Sequence, residues 1–458
     1  MTSALDHLSH RALVRGILTL AMPVVTANVS QTLMGLMDTL MVGQLGAASL
    51  AAVGIATLLF SAVASTLKAL DVPAQTFTAH RVGSGRDDEV GAVLGTAGAV
   101  TILLGAAVTA LGLWRPETWM GMVAQDVEVH RLGGEYLRWR VLGAIPFMLT
   151  FQLRAVYDGI GWTRIGMIVG VGMNLVNVLL NWVLIFGKLG APALGVRGAA
   201  IASAVSSLLA VAAFAALMMR PSVRHRFRFL SLGNWRPALL RPMFRMAWPA
   251  GVQVLGALLA VLVFFAILGR ISTVAVAAGN VVFRIAALSF MPGIGVGVAV
   301  QTLVAQSLGR GDPRGAVRAG WGGVAVAVVL MGTFSVAFLL APGWLMGLFA
   351  TDPELIRAGT PILRMMGLVQ IFDAVGLTLA GALKGAGATR IVMLTDVATA
   401  WLLFLPCAWF FGIKLELGLS GAWIGVLIWF FAYAVGITWW YLRGDWQRHA
   451  CGSALEAR

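Results

Sequence analysis

Charged residues are scarce in this chain. Of its 458 residues only 11% are Asp, Glu, Lys or Arg, and 59% are hydrophobic. A typical soluble domain contains about 25% charged residues, so this composition excludes an ordinary water-soluble fold. The apolar residues occur in long runs, for example 253–269, 322–341 and 422–442. Because a helix of about 20 residues crosses the bilayer core, these runs predict an integral membrane protein.

Cysteine and histidine are equally sparse. The two cysteines, Cys407 and Cys451, fall in a predicted span and a predicted tail, which implies no disulfide framework. The six histidines fall at predicted helix ends, loops or tails, so no ligand cluster of an intramembrane metalloenzyme is indicated. The sequence contains no phosphate-binding loop of the G-x-x-x-x-G-K-[ST] type, which favours an ion gradient over ATP as the energy source. We expect residues 17–42 to be a first span rather than a cleavable signal peptide.

Basic residues are segregated by segment. The net charge of +14 would suit a nucleic-acid ligand, but such a protein gathers its basic residues on one face, so we expect no nucleic-acid partner. Here the basic residues precede the first span and fill the mid-chain linker. They also follow the eighth and the twelfth of the twelve predicted spans. The positive-inside rule then places both termini and the linker on the cytoplasmic side of the membrane. We expect that membrane to be the cell (inner or plasma) membrane. These residues are Arg11, Arg15, Arg220, Arg224, Arg226, Arg228, Arg236, Arg241, Arg310, Arg314, Arg318, Arg443 and Arg448.

An internal repeat organises the chain. A shift of 226 residues places Pro23 on Pro249, and the register holds without a gap as far as the strings GWTRI and GATRI. Each half contains about six spans, an even number, so both halves begin on the same side and are parallel repeats about an axis along the membrane normal. The sequence predicts an all-α fold of twelve transmembrane helices in two six-helix lobes. Their boundaries are residues 1–230, including the start of the linker, and residues 231–458.

Two lobes of this kind can expose a shared cavity to alternate sides of the membrane, which is the geometry of alternating access. We expect the cavity to bind an amphipathic cation on aromatic, methionine and amide surfaces.

Two local features of the predicted helices can be tested against a structure. The fourth span is predicted over 132–157. Gly381 and Gly385 form a small-xxx-small pair suited to close helix contact.

Asp38 lies inside the first apolar run. A carboxylate near the bilayer centre costs about 3 kcal/mol on insertion scales, so such residues usually face a cavity and have a function; the alternative is a helix-packing or interface residue. Gln31 lies seven residues earlier, close to two helical turns, and shares its face. Three amides stack on the fifth span, where they would bind sodium, hold a proton-linked network, or only join helices. These amides are Asn174, Asn177 and Asn181. If the chain binds a sodium ion, we expect Asp38 and Asn177 to be its ligands.

The second half offers its own intramembrane charges. Asp373 is predicted in the middle of the tenth span, Arg284 in the middle of the eighth, and Asp396 near the inner end of the eleventh. Arg284 either gates cations or neutralises one of the two acids. Pro23 removes a backbone hydrogen bond from the first span and is a candidate hinge. Three other charges are expected to form local pairs or to lie at interfaces: Lys68, Asp71 and Asp158.

Three segments carry a resemblance to a known family. They are QTLMGLMDTLMVGQLGAASLAAVGI (31–55), GNVVFRIAALSFMPGIGVGVAVQTLVAQSLGRGD (279–312) and QIFDAVGLTLAGALKGAGATR (370–390). In them, and over essentially all of both halves, the chain resembles the multidrug and toxic compound extrusion (MATE) family. The resemblance implies a V-shaped pair of six-helix lobes that exports organic cations in exchange for protons or sodium ions, with no cofactor and no catalytic residues.

The chain departs from both subgroup patterns of that family. NorM-like members have a glutamate in span seven, where Ala257 stands here, although Asp373 matches their acid in span ten. DinF-like members have a second acid in span five, where Asn181 follows Asn177. The resemblance therefore leaves the subgroup open.

Two alternatives to an antiporter stay open at this point. A flippase for lipid-linked precursors, from the same wider superfamily, would line its cavity with several cationic side chains. A membrane enzyme would need a catalytic constellation, and the sequence shows none. As partners we expect a small amphipathic cation and the lipid bilayer, with the chain acting as a monomer.

Overall fold

The computed structural model describes residues 10–123, 126–229 and 231–449, so that Cys451 lies outside the described residues. These residues form helices joined by short turns. Within them, eleven helical segments are long and apolar enough to cross a membrane. The apolar runs of the sequence therefore correspond to helices of membrane-spanning length.

The twelfth span is the one that the sequence predicts over 132–157. It consists of two helices, α6 and α7, which meet at Gly143. Each helix is shorter than a full span and carries several charges, which explains why length and hydropathy alone do not identify the pair. The fourth span is thus present, but broken near its middle.

One unit of the fold comprises Thr26–Ala247. It contains the greater part of α1 and the beginning of α11 (Leu240–Ile271), and all helices between them. The linker belongs to this unit: Phe227 and Phe229 are buried, and Arg226 binds Asp87 at 2.8 Å. The helices are α1 (His10–Gly43), α2 (Ala47–Leu67), α3 (Asp71–Gly83), α4 (Val90–Trp114), α5 (Pro116–Gly121), α6 (Val127–Leu142), α7 (Ala144–Ile160), α8 (Thr163–Phe186), α9 (Val196–Met219) and α10 (Pro221–Phe227).

The other unit combines the described residues up to Val25 with those from Trp248 to His449. The sequence predicts that the chain divides inside the linker, between residues 230 and 231. In the structure, the first part of α1 packs with helices of the second half. There, Leu13, Ile17 and Ala21 join a core with residues of α12 and α13. The helices after α11 are α12 (Thr273–Gly309), α13 (Pro313–Leu340), α14 (Pro342–Phe349), α15 (Pro353–Gly385), α16 (Thr389–Ala398), α17 (Leu405–Trp409), α18 (Gly418–Arg443) and α19 (Asp445–His449).

Both repeat-related prolines lie where a helix passes from one unit to the other. In α1 the change follows Val25, two residues after Pro23, and in α11 it precedes Trp248, one residue before Pro249. A proline inside a helix leaves one backbone carbonyl without its usual partner and permits bending at that point. The hinge role of Pro23 stays a prediction, and these positions give it a structural reason.

Glycines allow α12 and α15 to approach closely. A methyl group at Gly381 would overlap the backbone of Gly297, and one at Gly385 would overlap the backbone carbonyl of Gln301. Small residues at such contacts let two backbones pack directly against each other in a membrane, where association depends on van der Waals contact. The helix contact predicted for Gly381 and Gly385 is therefore present.

The eleventh span is irregular on both sides of α17. Residues Thr399–Phe404 and Phe410–Lys414 form π-helical turns, which are uncommon and often occur at functional sites. The first of these turns begins three residues after Asp396. The distortion thus lies beside one of the acids that the sequence singles out.

Candidate functional site

A chain of polar side chains joins α1 to α8 around Asp38. Asn181 Nδ2 donates to Asp38 Oδ1 at 2.5 Å and lies 3.1 Å from Asn177 Oδ1. Asn177 Nδ2 lies within 3.3 Å of the Ser203 hydroxyl and 3.4 Å of the Ser206 hydroxyl on α9. The three- and four-residue spacing of the amides puts them on one face of α8, and all three are buried. The structure thus brings Asp38, Asn177 and Asn181 together.

The polar chain continues along α1 through residues that the sequence analysis did not select. Asn174 Nδ2 donates to the Ser30 hydroxyl at 2.9 Å, and Arg154 Nη2 donates to Asn28 Oδ1 at 3.2 Å. Gln31 does not take part: within the described residues its side chain makes no hydrogen bond. Its position two turns from Asp38 had favoured it, but Ser30 and Asn28 are the residues that face α8 and α7.

Arg140 is a buried cation near Asp38 that the sequence analysis missed. Its guanidinium carbon lies 4.1 Å from the ring centre of Phe60 and 4.8 Å from that of Phe147, in the geometry of a cation–π contact. Its charge and that of Asp38 interact. Arg140 sits in the broken fourth span, among charges that resemble an ordinary helix end, so no sequence signal separates it from its neighbours.

An apolar groove adjoins this polar chain. It has a volume of about 600 Å³ and lies between α1 and α8. Met34, Met37 and Met41 repeat at helical spacing along one wall, and Trp182 lies on the other. No charged side chain lines the groove, and methionine with an aromatic ring gives an adaptable, polarisable surface. Such a surface suits an amphipathic organic molecule whose charge is met by a nearby carboxylate.

The second unit contains a buried acid pair. Gln253 Nε2 donates to Asp396 Oδ2 at 2.8 Å. Asp373, on α15, is buried and close enough for its charge to interact with that of Asp396. Gln253 lies one turn before Ala257 on α11, so this face of span seven presents an amide rather than an acid.

The cation beside the acid pair is Lys384, not Arg284. The charges of Lys384 and Asp396 interact, whereas Arg284 is exposed and forms no ion pair within the described part of the chain. Among the described residues no ion pair joins Arg284 to Asp373 or Asp396, so the structure gives the neutralising role no support, and the role of Arg284 stays a prediction. On α12, Arg284 points away from the buried face that packs against α15, which its mid-span position in the sequence did not reveal.

The acid pair gives a test of its own. We expect Asp373→Asn to reduce gradient-driven transport by about tenfold or more, because acids inside membrane spans usually have a function in transport and asparagine cannot take up or release a proton. Arg284→Gln is the matched control and is expected to keep transport near the wild-type rate. Both are measured as initial rates in proteoliposomes. Recovery of transport in the Asp373→Asn, Arg284→Gln double variant would contradict this assignment and restore the Arg284 pairing.

Comparisons with known proteins agree with this architecture. The MatE family model matches residues 23–183 and 249–410, and the two starting points differ by 249 − 23 = 226 residues, the shift of the internal repeat. The chain is 30% identical to a probable multidrug resistance protein NorM of Rhizobium meliloti, over 94% of this chain and 93% of that protein. It is 28% identical to a protein of the same name from Thermotoga maritima, over 94% and 92%.

Solved structures show the same fold. A crystal structure described as MATE in the bent conformation matches 97% of this chain and 100% of that chain, with a TM-score of 0.87 at 22% identity. A eukaryotic MATE transporter matches 96% and 98%, with a TM-score of 0.84 at 20% identity. The fold is that of twelve transmembrane helices in two lobes, as the sequence predicts. The chain is therefore a multi-pass membrane transporter, not an enzyme, and belongs to the MatE family.

Proposed function

We propose that this chain is a secondary active antiporter that exports amphipathic organic cations in exchange for protons, with Asp38 as the coupling carboxylate. The observation that carries the proposal is the position of Asp38, within a buried chain of amides and beside a groove of methionine and tryptophan. The names of the curated relatives, as multidrug resistance proteins, support the same class of function. A carboxylate held inside the membrane can be neutral with a proton or paired with a cation, and these two states exclude each other.

One feature favours a proton over sodium as the coupling ion. Asp38 accepts an amide N–H from Asn181, whereas a metal ion would be met by oxygen atoms. Arg140 supplies a permanent positive charge near Asp38, and this charge opposes the arrival of a proton and of a sodium ion alike. Sodium remains the alternative ion, with Asp38 and Asn177 as its ligands.

The groove also bears on the choice between substrates. A flippase for lipid-linked precursors carries an anionic phosphate and would use cationic side chains, but the groove beside Asp38 is lined by none. We propose further that the chain acts as a monomer in the cell membrane. The arginine-rich linker, which docks on Asp87 and Asp88 between α3 and α4, and both termini then lie on the cytoplasmic side.

The test of this function is dye efflux from proteoliposomes. Purified protein is reconstituted, the vesicles are loaded with ethidium, and an inward proton or sodium gradient is imposed, one at a time. We expect the proton gradient to accelerate efflux and the sodium gradient to leave the rate unchanged. Acceleration by sodium alone would contradict proton coupling, and indifference to both gradients would contradict the antiporter.

A further inference from the structure

A second group of charges lies inside the unit that contains Asp38. Lys68 occupies a short 3₁₀ turn between α2 and α3, and Asp71 begins α3. Arg154 and Asp158, on α7, form an ion pair of 3.7 Å and are largely buried. The charge of Asp71 interacts with those of Lys68, Arg154 and Asp158, and the charge of Lys68 interacts with that of Arg154. Asp158 thus forms a local pair, with Arg154 one turn away on the same helix, as expected from the sequence. The four residues together are called the inner cluster below.

Of the two acids in the inner cluster, Asp71 is the one that forms no direct ion pair among the described residues. Asp158 is paired with Arg154, and the Lys68 ammonium lies 3.4 Å from the ring centre of Phe151. Within the described residues no cation lies within 4 Å of the Asp71 carboxylate. A carboxylate at this depth is costly unless it has a function or a partner, and Asp71 has only longer-range charge partners.

A polar track, in which three separate groups of hydrogen-bonded side chains follow one another along α1, lies between the inner cluster and Asp38. It starts with the bond from Arg154 to Asn28, continues with that from Asn174 to Ser30, and ends with the bonds of Asn181 to Asn177 and Asp38. Asn28 and Asp38 are ten residues apart on α1, which corresponds to about 15 Å of helix. The track therefore extends over nearly three turns of α1 inside a single unit.

Two acceptors on the track have no donor from the protein. Asn174 Oδ1 and Asn181 Oδ1 are buried and receive no hydrogen bond from the described residues. Buried polar atoms nearly always have a partner, and an orphaned acceptor calls for a donor that the protein itself does not supply. These two carbonyl oxygens thus mark a route that suits hydrogen-bonded water or a protonated species.

We infer that Asp71 is a second proton-binding site, which receives the proton released by Asp38 and passes it to the cytoplasmic side. The proton leaves the Asp38 carboxyl group, which becomes a carboxylate, and crosses the polar track over hydrogen-bonded water. It protonates the Asp71 carboxylate and then leaves to bulk water, so that no net charge is created. Lys68 and Arg154 are the cations whose charges act on Asp71, and the pair of Arg154 with Asp158 anchors the track at Asn28.

This inference rests on the proposed proton antiport and adds a step to it. Exchange of labelled ethidium for unlabelled ethidium across the membrane needs only the substrate-bound protein to change its conformation. Net efflux driven by a proton gradient also needs the proton to be released inside. A variant that lacks the release site is therefore expected to keep exchange and to lose driven efflux.

The experiment compares three variants with the wild type in proteoliposomes. Asp71→Asn cannot accept a proton and is expected to lower driven efflux at least about tenfold, while ethidium binding and ethidium exchange stay near wild type. Asp71→Glu restores a titratable group and is expected to recover driven efflux. Lys68→Met combined with Asp71→Asn removes one charge of each sign, keeps the cluster balanced, and is expected to stay as defective as Asp71→Asn.

Each other outcome overturns the inference. Driven efflux at the wild-type rate in Asp71→Asn, or its recovery in the charge-balanced double variant, would show that Asp71 only balances Lys68. Equal loss of binding, exchange and driven efflux in the double variant, with exchange intact in Asp71→Glu, would assign Asp71 a structural role. Absence of gradient-driven efflux in the wild type would instead refute the proposed function, and that result is seen before any variant is compared.

Discussion

Asp38→Asn is expected to abolish gradient-driven efflux while the protein still folds and inserts. Asparagine has nearly the shape of a protonated aspartic acid, so the hydrogen bond with Asn181 can be replaced by one between two amides. The variant cannot change its charge, however, and therefore cannot exchange a proton for an organic cation. We expect the driven rate to fall by about a hundredfold or more, the range seen when a positioned proton-transfer group is removed.

The matched control for this prediction is Thr39→Val. Thr39 is the next residue on α1, is exposed, and uses its hydroxyl only to bind the Gly35 carbonyl at 2.8 Å. Its replacement by the nearly isosteric valine tests insertion and packing at the same depth without touching the amide chain. If Thr39→Val and Asp38→Asn lose efflux to the same extent, the effect belongs to this segment of α1 rather than to the carboxylate.

Gly381→Leu is expected to prevent the second unit from folding. The first side-chain carbon at this position would overlap the backbone of Gly297 in α12, and a backbone carbonyl cannot move aside as the end of a flexible side chain can. Overpacking of a tight contact costs about 1–3 kcal/mol even where neighbours can adjust, and here two helix backbones would have to separate. We expect little monodisperse protein on size-exclusion chromatography in detergent.

Gly332→Leu, in α13, is the control for that prediction. The first side-chain carbon at Gly332 would meet no atom of a neighbouring helix within 4 Å, so we expect the same change in size and hydrophobicity to leave yield and elution unaltered. A Gly381→Leu protein that elutes as the wild type does would show that α12 and α15 tolerate separation. The role assigned to the Gly381–Gly385 pair would then be withdrawn.

The sequence was sufficient for most of the fold because the bilayer limits what a chain can do. Apolar runs become spanning helices since the backbone must satisfy its own hydrogen bonds in lipid, and the repeat that aligns Pro23 with Pro249 gives the two lobes. The fourth span was predicted over 132–157, but its division into α6 and α7 at Gly143 was not. The packing of residues 10–25 with the second half also had no signal, since a continuous helix carries no mark of which bundle it joins.

The candidate site was predictable only where one helix face carried the pattern. Asn174, Asn177 and Asn181 lie at helical spacing, and Asp38 is an acid in an apolar run, so their positions inside the unit could be anticipated. Arg140 and Lys384 could not, because contacts between different helices decide which cation lies near which acid. For the same reason the sequence left open whether Arg284, in the middle of an apolar segment, neutralises an acid or gates cations.

The central claim is that a proton and an organic cation exclude each other at Asp38, and proton release on substrate binding tests it most directly. Purified protein in weakly buffered detergent solution is titrated with ethidium while the pH of the solution is recorded. The account predicts that wild-type protein releases protons as ethidium binds, and that Asp38→Asn protein releases none. Proton release of the same size from Asp38→Asn, or ethidium binding to the wild type without any release, would contradict it.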